Sequence, residues 1–197
     1  MTKKWQYIIY FSIAVLIILI GVFSMFAGPK LDGNITEYKC DVKNFRLATT
    51  IKIKKDGSLI GEVKGSIFAL VTDPLTMYSP ADDKIAYAGD AYHFVAQDSH
   101  GIYVNGSFTS DMVGQVEIFG EEYKIYDAEE KLLAKVKFNE FNTTGEMYDK
   151  NGILVSVYSS NAFFNDFTVE ISDKCELDHY TVLMIMCSYY SDQAYDN

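Results

Sequence analysis

"YTVLMIMCSYY", Tyr180–Tyr190, contains no charged residue and ends seven residues before the chain does. Val182 through Cys187 are apolar without a break, so no face of a helix built from them is left for water. With its lead-in, "LDHYTVLMIMCSYY" (Leu177–Tyr190) is 14 residues long. That is about four helical turns and too short for a normal membrane span. Asp178 is placed as an N-cap. A helix that is hydrophobic all round lies in a membrane or is enclosed by protein, and the preceding sequence must say which.

From Cys40 onward that sequence has a period of two. Ile51 and Ile53 alternate with Lys52 and Lys54, and Phe167, Val169 and Ile171 alternate with Thr168 and Glu170. Leu132, Ala134, Val136 and Phe138 share one face, with Lys135 and Lys137 on the other. Such alternation marks strands with one wet and one dry face. "IKIKKDGSLIGEV", "TMYSPADDKIAYAG", "YKIYDAEEKLLAKV" and "EMYDKNGILVSVY" each place an acidic turn between two strand-like runs. Asp56-Gly57 and Asn151-Gly152 are hairpin dipeptides, because both residue types accept positive φ. The expected fold is therefore mainly β: a closed antiparallel β-barrel whose dry faces enclose the hydrophobic C-terminal α-helix.

The other end of the chain carries a second apolar run. Tyr7–Ala27, "YIIYFSIAVLIILIGVFSMFA", has no charge and at about 1.5 Å per residue matches the roughly 30 Å hydrocarbon core. It is longer than a signal-peptide core, and Met25 and Ala27 make a poor cleavage site, so an uncleaved N-terminal transmembrane helix is expected. Lys3 and Lys4 precede it, while Lys30, Lys39, Lys43 and Arg46 follow. The compact cluster in front favours a single-pass protein of the cell membrane with its main domain extracytoplasmic. The expected organisation is a basic tail (1–6), the anchor (7–27), a linker (28–37), a barrel domain (38–192) with core helix 177–190, and a short tail (193–197).

Beyond residue 27 there are 15 basic and 27 acidic residues, a net of −12. That charge opposes nucleic acid and anionic lipid headgroups as partners. The cysteines follow no metal spacing. Cys187 falls in the apolar run and is expected to be buried. A Cys40–Cys175 disulfide is open to an extracytoplasmic domain.

The series "GEEYKIYDAEEKLLAKVKF", "GEMYDKNGILVSVY" and "NAFFNDFTVEI", followed by "LDHYTVLMIMCSYYSD", resembles the tubby C-terminal, LURP-one-related and phospholipid scramblase class, whose β-barrel is threaded by a hydrophobic C-terminal helix. The resemblance covers roughly residues 38 to 192, and its motifs speak for fold rather than activity. Tubby domains hold phosphoinositide headgroups with clustered basic residues, whereas the lysines here are scattered. Scramblase-like proteins carry an acidic, calcium-associated segment beside the final helix. "SDKCELD" supplies Asp173, Glu176 and Asp178 at that place, without the alternating oxygen ligands of a calcium loop.

The densest polar stretch, "GDAYHFVAQDSHGIYVNG", holds Asp90, His93, Asp98 and His100, the candidate binding residues. Strand alternation sets Asp90 and His93 on opposite faces, and "QDSHG" reads as a turn. His179 is expected at the surface or at a boundary. No nucleophile elbow and no phosphate-binding glycine loop is present in the sequence, and no cofactor or metal is implied. The function expected is a membrane-anchored, non-enzymatic binding or scaffold module for a protein or small ligand. A lipid-handling, scramblase-like role is the alternative, and an enzyme with a site assembled from distant loops is a weaker one.

Overall fold

The period of two becomes an inside and an outside. Ile51, Ile53, Val136, Val169 and Ile171 are sealed in the core, while Lys135 and Lys137 between the buried positions of their strand reach outward. The computed structural model describes residues 30–45, 48–65, 75–90, 99–117, 120–139, 143–160 and 166–195. Its strands are β1 (Ile35–Phe45), β2 (Ala48–Lys55), β3 (Ser58–Gly65), β4 (Leu75–Tyr78), β5 (Lys84–Asp90) and β6 (Ser99–Val104). They continue as β7 (Ser107–Glu117), β8 (Gly120–Tyr126), β9 (Leu132–Phe138), β10 (Thr144–Asp149), β11 (Leu154–Ser160) and β12 (Asp166–Ser172). Each pairs antiparallel with its neighbours in sequence, and β1 closes the barrel on β12, with Tyr38 opposite Val169 on one side and Lys55 on the other. A closed sheet leaves no row of unpaired edge groups. With the dry face inside and lysines outside, the wall is the reverse of a membrane-spanning barrel, whose apolar band faces lipid.

The helix α1 (His179–Tyr195) fills the interior. Thr181 to Tyr190 are ten successive residues, none more than 2 % exposed, and the apolar ones share one core cluster with the strands. Asp178 caps α1 as expected: its Oδ1 accepts the Tyr180 N–H at 2.8 Å, and its carbonyl accepts from Val182. The helix thus begins at 179 rather than 177, because the capping residue itself has no helical backbone. Met77, Met112, Met147, Met184 and Met186 are all completely buried where helix meets wall. Flexible thioethers suit the uneven gap between a straight rod and a twisted sheet.

One end of the barrel carries five tight hairpins of common design. In each, the register shifts near the turn: at Ile53/Lys54, Met77/Tyr78, Ile102/Tyr103, Ile125/Tyr126 and Met147/Tyr148. The first residue of each pair is buried and the second turns outward, as bulges re-aim side chains. Asp56-Gly57 takes positive φ at both residues, as expected, and so does Asn105-Gly106, which joins β6 to β7. The Asn151-Gly152 turn differs from expectation, since only Gly152 has positive φ. Asp149 is the reason: its Oδ1 collects the N–H groups of Asn151 and Ile153, building a four-residue turn closed by Gly152 N–H to Asp149 carbonyl at 3.0 Å. Ser79 and Asp127 organise their turns the same way, with Asp82 and Glu130 in the left-handed position that Gly152 holds in the third.

Four residues of the stretch read as a linker, 28–37, are in contact with the barrel or part of it. Leu31 is buried, Asp32 meets Lys174, the Asn34 side chain donates to Asp173 at 2.8 Å, and β1 starts at Ile35. The Cys40–Cys175 disulfide is not formed: Cys40 is in the core, Cys175 is half-buried in the loop before α1, and both are free thiols. Burial raises the pKa of Cys40 and Cys187, as expected for enclosed thiols. The expected anchor, residues 7–27, lies outside the described residues. Among the described residues no helix is long and apolar enough to cross a membrane.

Two outcomes test this architecture. Met184→Asp or Ile185→Asp leaves an unpaired charge in a dry core, a cost of several kcal/mol against a total stability of about 5–15 kcal/mol. Either variant should lose its cooperative thermal melt, and a melt that survived would refute the enclosed helix. By contrast, Glu130→Gly relieves a left-handed L-residue and should stabilise by about 1 kcal/mol, a Tm rise of roughly 2–4 °C. An unchanged or lower Tm would show that the turn carries no such strain.

Candidate functional site

Of the four candidate residues, His93 and Asp98 lie outside the described residues. Asp90 and His100 are described only as backbone, and they stand opposite each other in the β5–β6 register. The turn expected at "QDSHG" is in part strand, because β6 already begins at Ser99. Among the described residues, no three His, Cys, Asp or Glu side chains gather into a metal-sized group. The acidic segment before α1 is engaged by the chain itself. Asp173 accepts from Asn34, Glu176 pairs with Lys150 at 3.0 Å, and Asp178 caps the helix.

His179 is half-buried, at the boundary expected of it, and holds the first turn of α1 to the wall. Its Nδ1 lies 2.6 Å from the Tyr38 hydroxyl, and the rings meet edge to face, 5.7 Å apart. Burial lowers the His179 pKa, with the Lys55 ammonium adding to the effect and Asp178 opposing it. Burial likewise raises the phenol of Tyr38, followed by the carboxylate and phenol groups around it. The pair is a structural clasp between β1 and α1, a hydrogen bond between the phenol and a neutral imidazole.

The feature with the shape of a binding site is on the outer wall, over β5, β6 and β7. Tyr87, Tyr103 and Phe108 are successive register partners across these strands, with ring centroids 6.0 and 5.5 Å apart. The β6–β7 bulge keeps Phe108 outside beside Tyr103 and turns the extra residue, Thr109, inward to hydrogen-bond Thr181 of α1. Gly89 and Gly101 are also register partners, two positions along and so on the same face. A Cβ on Gly89 would sit 2.5 Å from the Tyr87 hydroxyl oxygen, so the phenol ring lies down across that glycine. Tyr103 does the same over Gly101, at 3.3 Å. A side chain at position 89 would have to displace the Tyr87 ring, and one at position 101 would crowd the Tyr103 ring by a few tenths of an ångström.

The two phenol rings thus lean over the sheet with their planes 51° apart, and both line a half-open depression of about 590 Å³. Lys84 reaches over the Tyr87 ring, its ammonium 4.3 Å from the centroid, a cation–π contact that takes up one face of that ring. Among the described residues, Lys84 has no carboxylate partner, and neither tyrosine hydroxyl has a hydrogen bond. Tyr103 and Phe108 are each more than one-third exposed, unusual for large apolar rings. The volume falls in the range of small-ligand sites, and its lining offers aromatic rings with a few hydrogen-bond donors.

No family model matches the chain, and no curated protein sequence matches it. The barrel and its C-terminal helix agree in architecture with the tubby-like and scramblase-like class that the sequence resembles.

The clasp makes a pH prediction. The folded state prefers neutral His179, so the unfolded chain binds more protons as pH falls through about 6.5, and stability declines there. His179→Gln should flatten stability between pH 7 and pH 5 while leaving the carboxylate-driven loss below pH 4 intact. An equal slope in the variant would mean that the clasp does not carry this dependence.

Proposed function

We propose that this chain is a non-enzymatic binding module of the tubby-like barrel class, held at a membrane by residues 7–27, whose outer aromatic groove takes a segment of a partner protein. The observation that carries the reading is the pair of phenol faces over Gly89 and Gly101, bordered by Phe108 and Lys84. The barrel interior is filled by α1, so recognition has to use the outer wall. Aromatic rings with a rigid backing lose little conformational freedom on binding, which is why Tyr and Trp dominate interaction hot spots. The fixed strands and the glycine floor supply that backing. Burying such a ring typically accounts for 2 kcal/mol or more of binding free energy.

A peptide-display selection against the full chain in lipid nanodiscs tests this directly. Selected peptides should bind about 30-fold more weakly to Tyr103→Ala, and their affinity for Lys135→Ala, on a distant strand, should be unchanged. A selection whose products all ignore Tyr103 would refute the groove as the binding site.

A further inference from the structure

The geometry points to an extended, proline-rich segment with basic flanking residues as the occupant of this groove, an inference that rests on the binding-module reading above. Three observations select that class. First, the barrel is closed, so every described strand already has two neighbours and no edge is free for strand addition. A peptide must therefore dock on side-chain faces, without main-chain bonds from a sheet edge. A polyproline II segment needs none, since its backbone is fully solvated and already extended.

Second, the groove offers what such a segment uses. The exposed Tyr103 ring, 6.0 Å from Tyr87 and tilted 51° to it, can receive a pyrrolidine ring. The Tyr87 and Tyr103 hydroxyls and the Lys84 ammonium remain as donors for the outward carbonyls of a polyproline II chain.

Third, the unit that carries the groove is acidic as a whole. The unit Leu31–Asn197 carries 14 basic and 27 acidic residues, a net of −13. The exposed Asp83 adjoins Lys84 at the turn end of the groove, and its carboxylate has no partner among the described residues. Such a field repels nucleic acid, the other common ligand of stacked aromatic platforms. It attracts a peptide bearing Lys or Arg beside its prolines.

The experiment uses the full chain in nanodiscs of zwitterionic lipid. The probe is a fluorescent decapeptide with two Pro-x-x-Pro units and two flanking arginines, read by anisotropy at 50 and 200 mM salt. Its controls are the same peptide with every proline changed to alanine, one with arginine changed to glutamate, and a soluble glucan hexasaccharide. The proline peptide should bind at least tenfold more tightly than the alanine peptide and more weakly at the higher salt. Tyr103→Ala should weaken it at least tenfold. Gly89→Val, which displaces the Tyr87 ring, should act in the same direction. Asp83→Lys, at an exposed turn where folding is not at stake, should weaken it about threefold and leave the arginine-to-glutamate peptide no worse.

Equal affinity for the proline and alanine peptides would overturn the inference. So would Tyr103-dependent binding of the hexasaccharide alone. If none of these probes binds while display-selected peptides still depend on Tyr103, the proline-rich class is wrong and the binding-module reading stands. If nothing binds in a Tyr103-dependent way, both fall.

Discussion

Everything in this molecule depends on a helix that has no wet face. An ordinary surface helix needs one partner surface, whereas α1 must be covered on every side along the ten residues from Thr181 to Tyr190. A two-layer packing would leave one side of it in water. A sheet that curls until its first strand meets its last covers the helix all round and removes the sheet's own edges at the same time. The two requirements have one solution, and the Asp178 cap, the Tyr38–His179 clasp and the five buried methionines hold it in place.

The same solution restricts where function can be. A barrel with an open interior can hold a ligand in its lumen, but here the lumen is occupied by Met, Ile, Val and Tyr side chains packed against α1. Titratable groups that reach the interior are pushed toward their neutral forms, as burial does to Cys40, Cys187 and Tyr158. The outer wall keeps both exposure and chemical variety, and on β5–β7 that wall departs from the usual lysine, threonine and glutamate pattern. The bulge between β6 and β7 links the two sides. One extra residue sends Thr109 to the helix and leaves Phe108 beside Tyr103 outside.

What the sequence revealed follows from the range of the forces involved. Period-two alternation and turn residues are local, so β2–β3, β4–β5, β8–β9 and β10–β11 could be read from "IKIKKDGSLIGEV" and its three counterparts. The missing wet face of α1 is also a local property, and it was enough to require enclosure. The β6–β7 hairpin was harder. Its Asn105-Gly106 turn is as strong as Asp56-Gly57, but Asp90, His93, Asp98 and His100 drew attention to "GDAYHFVAQDSHGIYVNG" as polar chemistry. The Asn151-Gly152 dipeptide does mark the β10–β11 hairpin, and only the turn's backbone differs, because a carboxylate two residues upstream outweighs the dipeptide's own preference.

The groove escaped notice because it is a matter of register between strands. "YAG" in β5 and "GIY" in β6 are unremarkable apart, and fifteen tyrosines spread at strand spacing suggest only a half-buried surface. Run antiparallel with Tyr87 opposite Tyr103, the two triplets bring Gly89 opposite Gly101. Tyr-x-Gly facing Gly-x-Tyr then becomes a pair of tilted aromatic rings, because each glycine leaves its tyrosine room to lean over. The tight Asn105-Gly106 turn fixes β7 against β6, and so sets Phe108 beside Tyr103 as the third ring of the row. A turn at the end of the barrel and two glycines in its wall therefore specify one surface, although no single residue of the three strands announces it.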